Sequence, residues 1–136
     1  MKWNPTGLAH IGLPCTDFDR TVAFYQEFGF QVIASARALN GFDVAMLQRG
    51  GCVIEAYHPL DPAAIAELAA RKDGHVDHIA LWVEDLDALY QECQETGHPI
   101  VSNGIEHLDV FAPKTCRYFF ITGPDGERLE FAQLSD

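Results

Sequence analysis

The apolar positions of this chain fall into two successive series of short runs with the same layout. Leu8 to Pro14 and Val76 to Val83 are compact, mostly apolar runs of the length of a buried strand. Each is followed by a polar cap with an early acidic charge, Thr16-Asp17 and Glu84-Asp85, and then by a helix-length segment ending at Gly29 or Gly97. A glycine there suits the left-handed residue that closes a helix. Three further runs follow each helix and predict strands: Phe30 to Arg37, Asp43 to Gln48 and Cys52 to His58 in the first half, and Pro99 to Asn103, Arg117 to Thr122 and Arg128 to Gln133 in the second. Turn residues at Asn40-Gly41, Gly50-Gly51 and Gly123-Pro124-Asp125-Gly126 separate them. The Ala-rich segment from Pro62 to Lys72 predicts a short linking helix.

The two series are copies. An offset of 68 lays His10-Ile11-Gly12-Leu13 over His78-Ile79-Ala80-Leu81, and eight of the twenty positions from His10 to Gly29 are identical under it. An offset of 75 lays Gly51-Cys52-Val53-Ile54-Glu55 over Gly126-Glu127-Arg128-Leu129-Glu130, so the second copy is seven residues longer. Ile105 to Thr115, with Pro113, is the natural place for that extra loop. The pattern predicts an α+β fold of two tandem βαβββ modules, at about 7–59 and 75–134, joined by the helix at 62–72 within one domain spanning 1–136.

The duplication delivers the same chemistry twice, a histidine on the first strand of each copy and a glutamate on the last. Strand side chains alternate faces, so His10 goes with Leu8 and Gly12, His78 with Ala80 and Trp82, Glu55 with Val53 and Tyr57, and Glu130 with Arg128 and Ala132. If the helices cover Ile11, Leu13, Ile79 and Leu81, the four ionisable side chains converge on the opposite, concave face. Two imidazoles and two carboxylates suit a divalent ion such as Ni²⁺, Zn²⁺, Co²⁺ or Fe²⁺, with positions left for water or substrate. A lone strand histidine is usually a hydrogen-bonded structural residue, and a lone terminal glutamate usually faces solvent. Four at equivalent places point instead to one metal site made of His10, Glu55, His78 and Glu130.

The remaining candidates are weaker. His58 falls on the opposite face from Glu55, while His75, His98 and His107, the last in the extra loop, read as surface residues, His107 being the one of them to consider near substrate. Phe24, Tyr25 and Phe28 read as helix packing and Phe119 or Phe120 as core, while Trp82 and Tyr57 share the parity of the ligands.

Composition bounds the class of function. An apolar share of 48% over 136 residues supports a real core, and no stretch approaches the roughly 20 apolar residues of a membrane helix. The N-terminus has no apolar run of signal-peptide length, and four scattered cysteines without a C-x-x-C pair suggest reduced thiols, so the expected compartment is cytoplasmic. A net charge of −11 opposes phosphate backbones and anionic membranes, which excludes nucleic acid and membrane partners and disfavours anionic substrates unless bases such as Arg37, Lys114 or Arg117 line the pocket.

His10-Ile11 before an Asp-containing helix start, Val53-Ile54-Glu55, Asp77-His78-Ile79-Ala80 and Gly123-Pro124-Asp125-Gly126-Glu127-Arg128-Leu129-Glu130 together resemble the vicinal oxygen chelate superfamily, and within it glyoxalase I. The resemblance covers nearly the whole chain. It implies a cupped mixed sheet built from the two modules (the glyoxalase/bleomycin resistance/dioxygenase fold), completed as a homodimer, with one divalent metal per site, Ni or Zn first and Co, Fe or Mn next. It implies a lyase or isomerase reaction on a small α-oxygenated substrate, in which the metal stabilises an enediolate and Glu130 or Glu55 moves the proton. Glutathione-using relatives carry an arginine four residues after the first histidine and an asparagine four after the first glutamate; here Pro14 and Pro59 stand there, and proline offers no side-chain donor. The alternatives are another metalloenzyme of the superfamily, an extradiol-type dioxygenase or a thiol transferase, or a drug-binding resistance protein without chemistry.

Overall fold

The short apolar runs of the first copy form strands, and its polar-capped segment forms a helix. In the computed structural model, which describes residues 2–27, 29–71, 76–122 and 128–136, this copy contains β1 (Gly7–Pro14), α1 (Phe18–Glu27), β2 (Gln31–Leu39), β3 (Phe42–Arg49), β4 (Cys52–Pro59) and α2 (Pro62–Ala70). The chain divides into two compact units, residues 10–77 and residues 1–9 with 78–136. In the first, β1 runs parallel to β4, and β4–β3 and β3–β2 are antiparallel. Asp17 accepts the Arg20 backbone N–H at 3.1 Å at the start of α1, and Phe18 then packs on Cys15, Ala45 and Val22. Asn40 and Gly41, at φ 52° and 85°, make the tight β2–β3 turn with the twist that an antiparallel hairpin needs. Asp43 steadies the approach to that turn, accepting the N–H of Ala38 at 2.9 Å where Ala38 itself sits at φ 51°. That N–H, and then Arg37, hold the Asp43 carboxyl below the usual carboxylate range. Asp61 caps α2 by accepting from Ala63, with Pro62 in the first turn where no N–H is needed. The expected last residue of this helix, Lys72, lies outside the described residues, as do Phe28, His75 and the Gly123 to Gly126 turn.

The second unit repeats the plan with β5 (His78–Trp82), α3 (Leu86–Glu95), β6 (Glu106–Leu108), β7 (Thr115–Thr122) and β8 (Arg128–Ser135). β5 is parallel to β8, and β8–β7 and β7–β6 are antiparallel. Asp85 caps α3 through the Ala88 N–H at 3.0 Å, and Gly97 follows its end at φ 79°. Leu86, Leu89 and Cys93 of α3 bury themselves against Val83, Phe119, Ile121 and Phe131, with Leu81 and Leu129 at the margin. The N-terminal residues dress this unit: Trp3 packs on the core, Thr6 donates its N–H to the Trp82 carbonyl at 2.8 Å, and Lys2 donates its N–H to the Glu92 carboxylate at 3.0 Å. Phe119 is fully buried, edge-on to Tyr90 and tilted on Phe131. Phe119→Ala should therefore cost about 3–5 kcal/mol, read as a lowered midpoint in denaturant unfolding with an unchanged slope.

The registers make the duplication physical. In the first unit Ile11, Gly12, Leu13 and Pro14 oppose Ile54, Glu55, Ala56 and Tyr57; in the second Ile79, Ala80, Leu81 and Trp82 oppose Leu129, Glu130, Phe131 and Ala132. Every pair maps onto its counterpart under the offsets of 68 and 75. The α+β fold of two βαβββ modules expected from the sequence is present.

Two expectations are corrected. No strand forms over Pro99–Asn103, where only Ile100 bridges to Ile121; the strand instead is β6, at Glu106–Leu108, inside the segment expected to be the extra loop. Pro99 has no N–H to give a ladder, and Ser102 substitutes side chain for backbone, accepting the Phe120 N–H and donating to the Gly104 carbonyl, each at 2.9 Å. Gly104, at φ 68°, then turns the chain into β6. Nor does a helix cover Ile79, which remains 48% exposed while Leu81 and Leu129 pack beside α3.

Candidate metal centre

The registers place each histidine diagonally across from its glutamate. His10 precedes Gly12, the residue opposite Glu55, by two positions, and His78 likewise precedes Ala80, opposite Glu130, so histidine and glutamate share a face within each unit. On β1 and β5 the residues opposite the carboxylates, Gly12 and Ala80, are small, which leaves room for imidazole and carboxylate to meet. In the first unit His10 Nε2 lies 3.6 Å from Glu55 Oε2; in the second His78 Nε2 lies 2.9 Å from Glu130 Oε2. Among the described residues these four are the polar or charged side chains that are buried, at 3%, 8%, 5% and 3% exposure for His10, Glu55, His78 and Glu130.

Burial on this scale is costly for a carboxylate unless a partner compensates it. The imidazole supplies one partner in each pair. A divalent cation is a further one, and nitrogen and oxygen donors in equal number are the set that borderline or moderately hard divalent ions accept. The donor chemistry thus fits a metal.

The surroundings of the two pairs differ. Met46, fully buried, stands opposite Glu55 on β3; Phe120 stands opposite Glu130 on β7 and meets the His78 ring edge to face at 5.3 Å. Of Phe119 and Phe120, either of which the sequence offered as core, Phe119 is the core residue, and Phe120 is buried on the histidine face. Tyr118 continues that face, edge-on to Phe120, and Trp82 meets Phe111 of the 3-10 turn Asp109–Phe111 at 6.3 Å. Tyr57, in the first unit, packs on Phe42 at 5.7 Å.

Other sequence candidates fall elsewhere. His107 is exposed, as a surface residue, and lies on β6 rather than in a loop; it stands opposite Arg117, whose guanidinium is bidentate to Asp87 of α3, so it occupies the helix side of the sheet and not the face of the pair. Arg117 in turn holds the Asp87 carboxyl below its ordinary range. Arg37 pairs with Asp19 and Asp43 and lies over the Phe18 ring at 4.5 Å, on the α1 side. Neither arginine faces the buried pairs, because the acids that neutralise them belong to the helix-covered side. Lys114 is exposed after the 3-10 turn. His58 turns away from Glu55, as expected, and donates from Nδ1 to the Cys15 carbonyl at 2.9 Å. His98 is exposed, and Phe24, expected to pack, is 52% exposed. Cys15, Cys93 and Cys116 are buried and Cys52 is exposed, and burial pushes the Cys15 and Cys93 thiols up, away from reactivity. Pro14 and Pro59 end β1 and β4, where their rings present no donor.

Arg128, placed by the sequence on the Glu130 face, was given no role there. Its guanidinium carbon lies 4.2 Å from the Phe120 ring centroid. Its position two residues before Glu130 gave the face, but nothing local indicates that Phe120 would stand beneath it.

Comparison with known proteins gives the family and the fold. A family profile described as the glyoxalase/bleomycin resistance protein/dioxygenase superfamily matches residues 9–113. The uncharacterised protein YwbC of Bacillus subtilis is 32% identical over 128 residues, covering 91% of this chain and 94% of its own. A bleomycin resistance protein from Klebsiella pneumoniae is 29% identical over 134 residues, covering 94% of this chain and 93% of its own. Among solved structures, a Streptomyces coelicolor methylmalonyl-CoA epimerase variant in complex with 2-nitronate-propionyl-CoA is 26% identical, with a TM-score of 0.76 over 96% of this chain and 95% of that one. The epimerase of Mycobacterium tuberculosis, at 24% identity and a TM-score of 0.76 over 95% of this chain and 88% of that one, shares the fold.

Proposed function

The chain belongs to the glyoxalase/bleomycin resistance protein/dioxygenase superfamily, and from that premise we propose that it is a divalent-metal-dependent enzyme that moves a proton beside a carbonyl group, in the manner of glyoxalase I. The observation that carries the reading is the twofold occurrence of a buried histidine–glutamate pair at equivalent register positions. His10, Glu55, His78 and Glu130 would hold one ion, Ni or Zn in the first place. When bound, the ion supplies Lewis acidity toward vicinal oxygens of a substrate, which lowers the barrier to removing the C–H between them.

The protein's own part is to position and move the proton. A glyoxalase-type isomerisation converts R–CO–CH(OH)–SR′ into R–CH(OH)–CO–SR′, so one proton leaves the thiol-bearing carbon and one is delivered to its neighbour. Glu130 or Glu55 is the carboxylate that accepts and returns it. His78, held edge-on by Phe120, keeps its Nε2 aimed at the Glu130 carboxylate, and the apolar ring limits water around the transferred proton. With Pro14 and Pro59 in place of the donors that grip glutathione, a different thiol or a thiol-free α-hydroxycarbonyl compound is the better substrate.

A second reading has its own support. The epimerase neighbours at 25–26% identity act, by name, on methylmalonyl-CoA, whose exchangeable proton also lies beside a carbonyl. The difference is that the proton returns to the same carbon.

The deciding experiment is elemental analysis of the purified protein before and after chelation, with assays on methylglyoxal with and without added thiols and on methylmalonyl-CoA in deuterated water. The expected result is one divalent ion per site with activity lost on chelation and restored by metal. Thiol-dependent lactoyl product identifies the isomerase, and deuterium entering the methylmalonyl group identifies the epimerase. A protein that takes up no metal at any pH overturns the proposal in favour of a binding role like that named for the bleomycin resistance relative.

A further inference from the structure

The unit of residues 10–77 holds a cavity of about 510 Å³ on the side of its sheet away from His10 and Glu55. Leu13 and Cys15 border it, and both alternate with His10 and Gly12 along the chain, which puts them on the helix-covered face. From α1 come Arg20, and Thr21 and Tyr25 four residues apart; from the end of α2 come Leu68 and Arg71, three apart. Such spacings bring side chains to one face of each helix. The volume is that of a small-molecule pocket, about 300–1,000 Å³, and the lining has the usual form of apolar walls with a few polar groups.

Two of the six arginines of a chain with net charge −11 thus border one cavity. Arginines with a structural task in this protein are clamped, Arg37 by Asp19 and Asp43 and Arg117 by both oxygens of Asp87. Arg20 and Arg71 are not. Among the described residues the exposed Arg20 side chain has no ion-pair partner, and Arg71 meets Glu67, one turn back on α2, at 3.9 Å. An exposed pair at that distance holds a guanidinium weakly and yields it to a better acceptor. The acid at the rim, Asp17, is turned to the start of α1, where it accepts the Arg20 backbone N–H at 3.1 Å. We propose that this cavity binds a small organic oxyanion, a carboxylate or phosphate ester with an apolar body, whose oxygens the Arg20 and Arg71 guanidinium groups take while Leu13, Leu68 and the Tyr25 ring hold the body. The planar fork of a guanidinium matches either oxyanion. The site lies on the other face of β1 from His10, so its ligand is not the substrate of the metal centre, and the proposal does not rest on the metal reading.

The test is titration calorimetry with 4-phenylbutyrate, 3-phenylpropyl phosphate and 4-phenylbutanamide, which share one apolar body. Saturating acetohydroxamate, which blocks a metal ion through its two oxygens, keeps the anions off the other face. At least one anion should bind about 10-fold more tightly than the neutral amide, the value of one charged hydrogen-bonded contact, and the tighter of the two anions names the class of ligand. Arg20→Gln and Arg71→Gln should each remove about 10-fold of that affinity and leave the amide unchanged. Arg49→Gln, the same loss of charge at an exposed residue outside the cavity, should leave both unchanged. Equal affinities for anions and amide, an anion preference undiminished in either cavity variant, or an equal loss in Arg49→Gln would overturn the proposal. So would failure of all three probes to bind, and in each case the metal reading stands.

Discussion

Glu130→Gln should lower turnover by about 10²–10⁴-fold, the range a positioned general base contributes, with the protein still folded. The substitution keeps the size of the side chain and an oxygen that can face His78 Nε2, now 2.9 Å from the carboxylate. It removes the one property the reaction needs, a basic oxygen able to take a proton from carbon. Circular dichroism and unfolding midpoints should therefore stay near wild type while kcat falls. Glu55→Gln provides the comparison: if the two carboxylates divide removal and return of the proton, both variants lose turnover, whereas a single base shows as a large loss in one and a small loss in the other. Full activity in Glu130→Gln would remove it from the mechanism.

The second large effect concerns metal retention. His10→Ala and His78→Ala should each weaken it by more than about 100-fold, since losing even an outer partner of a ligand costs 10- to 100-fold. Each also leaves a buried carboxylate without its imidazole, Glu55 at 8% exposure or Glu130 at 3%. Such a charge is destabilised once its partner is gone, so the variants should unfold at lower denaturant concentration as well. Metal content after dialysis, measured against a competing chelator, separates the two effects. Unchanged metal content in either variant would refute the four-ligand site, and retention in one alone would divide the ligands between the two copies.

Much of this was legible in the chain because it is encoded locally. The apolar alternation of Leu8 to Pro14 and Val76 to Val83 marks strands without reference to anything distant, and the caps at Asp17 and Asp85 and the left-handed glycines Gly29 and Gly97 bound the helices that follow. The period of two also assigns a strand side chain to a face, so His10, Glu55, His78 and Glu130 could be grouped by counting alone. Duplication multiplied that signal.

What counting could not supply is which residue stands opposite which. That Gly12 and Ala80 face Glu55 and Glu130, clearing the path for each imidazole, is a property of register. Register is settled by the sum of pairings over whole strands. The same holds for β6, which forms at Glu106–Leu108 because it has Cys116–Tyr118 to pair with, while Pro99–Asn103, with the better strand composition, is diverted by Ser102 and Gly104. Arg128 over Phe120 over His78 joins three strands, and the docking of Trp3 and Lys2 onto the second unit spans most of the chain. The sequence by itself determined the two modules, their helices and the four ionisable residues, since each depends on neighbours within a few positions. Tertiary structure alone decided the pairings, the aromatic and cationic surroundings of the second pair and the exposure of Ile79, because those depend on side chains brought together from distant parts of the chain.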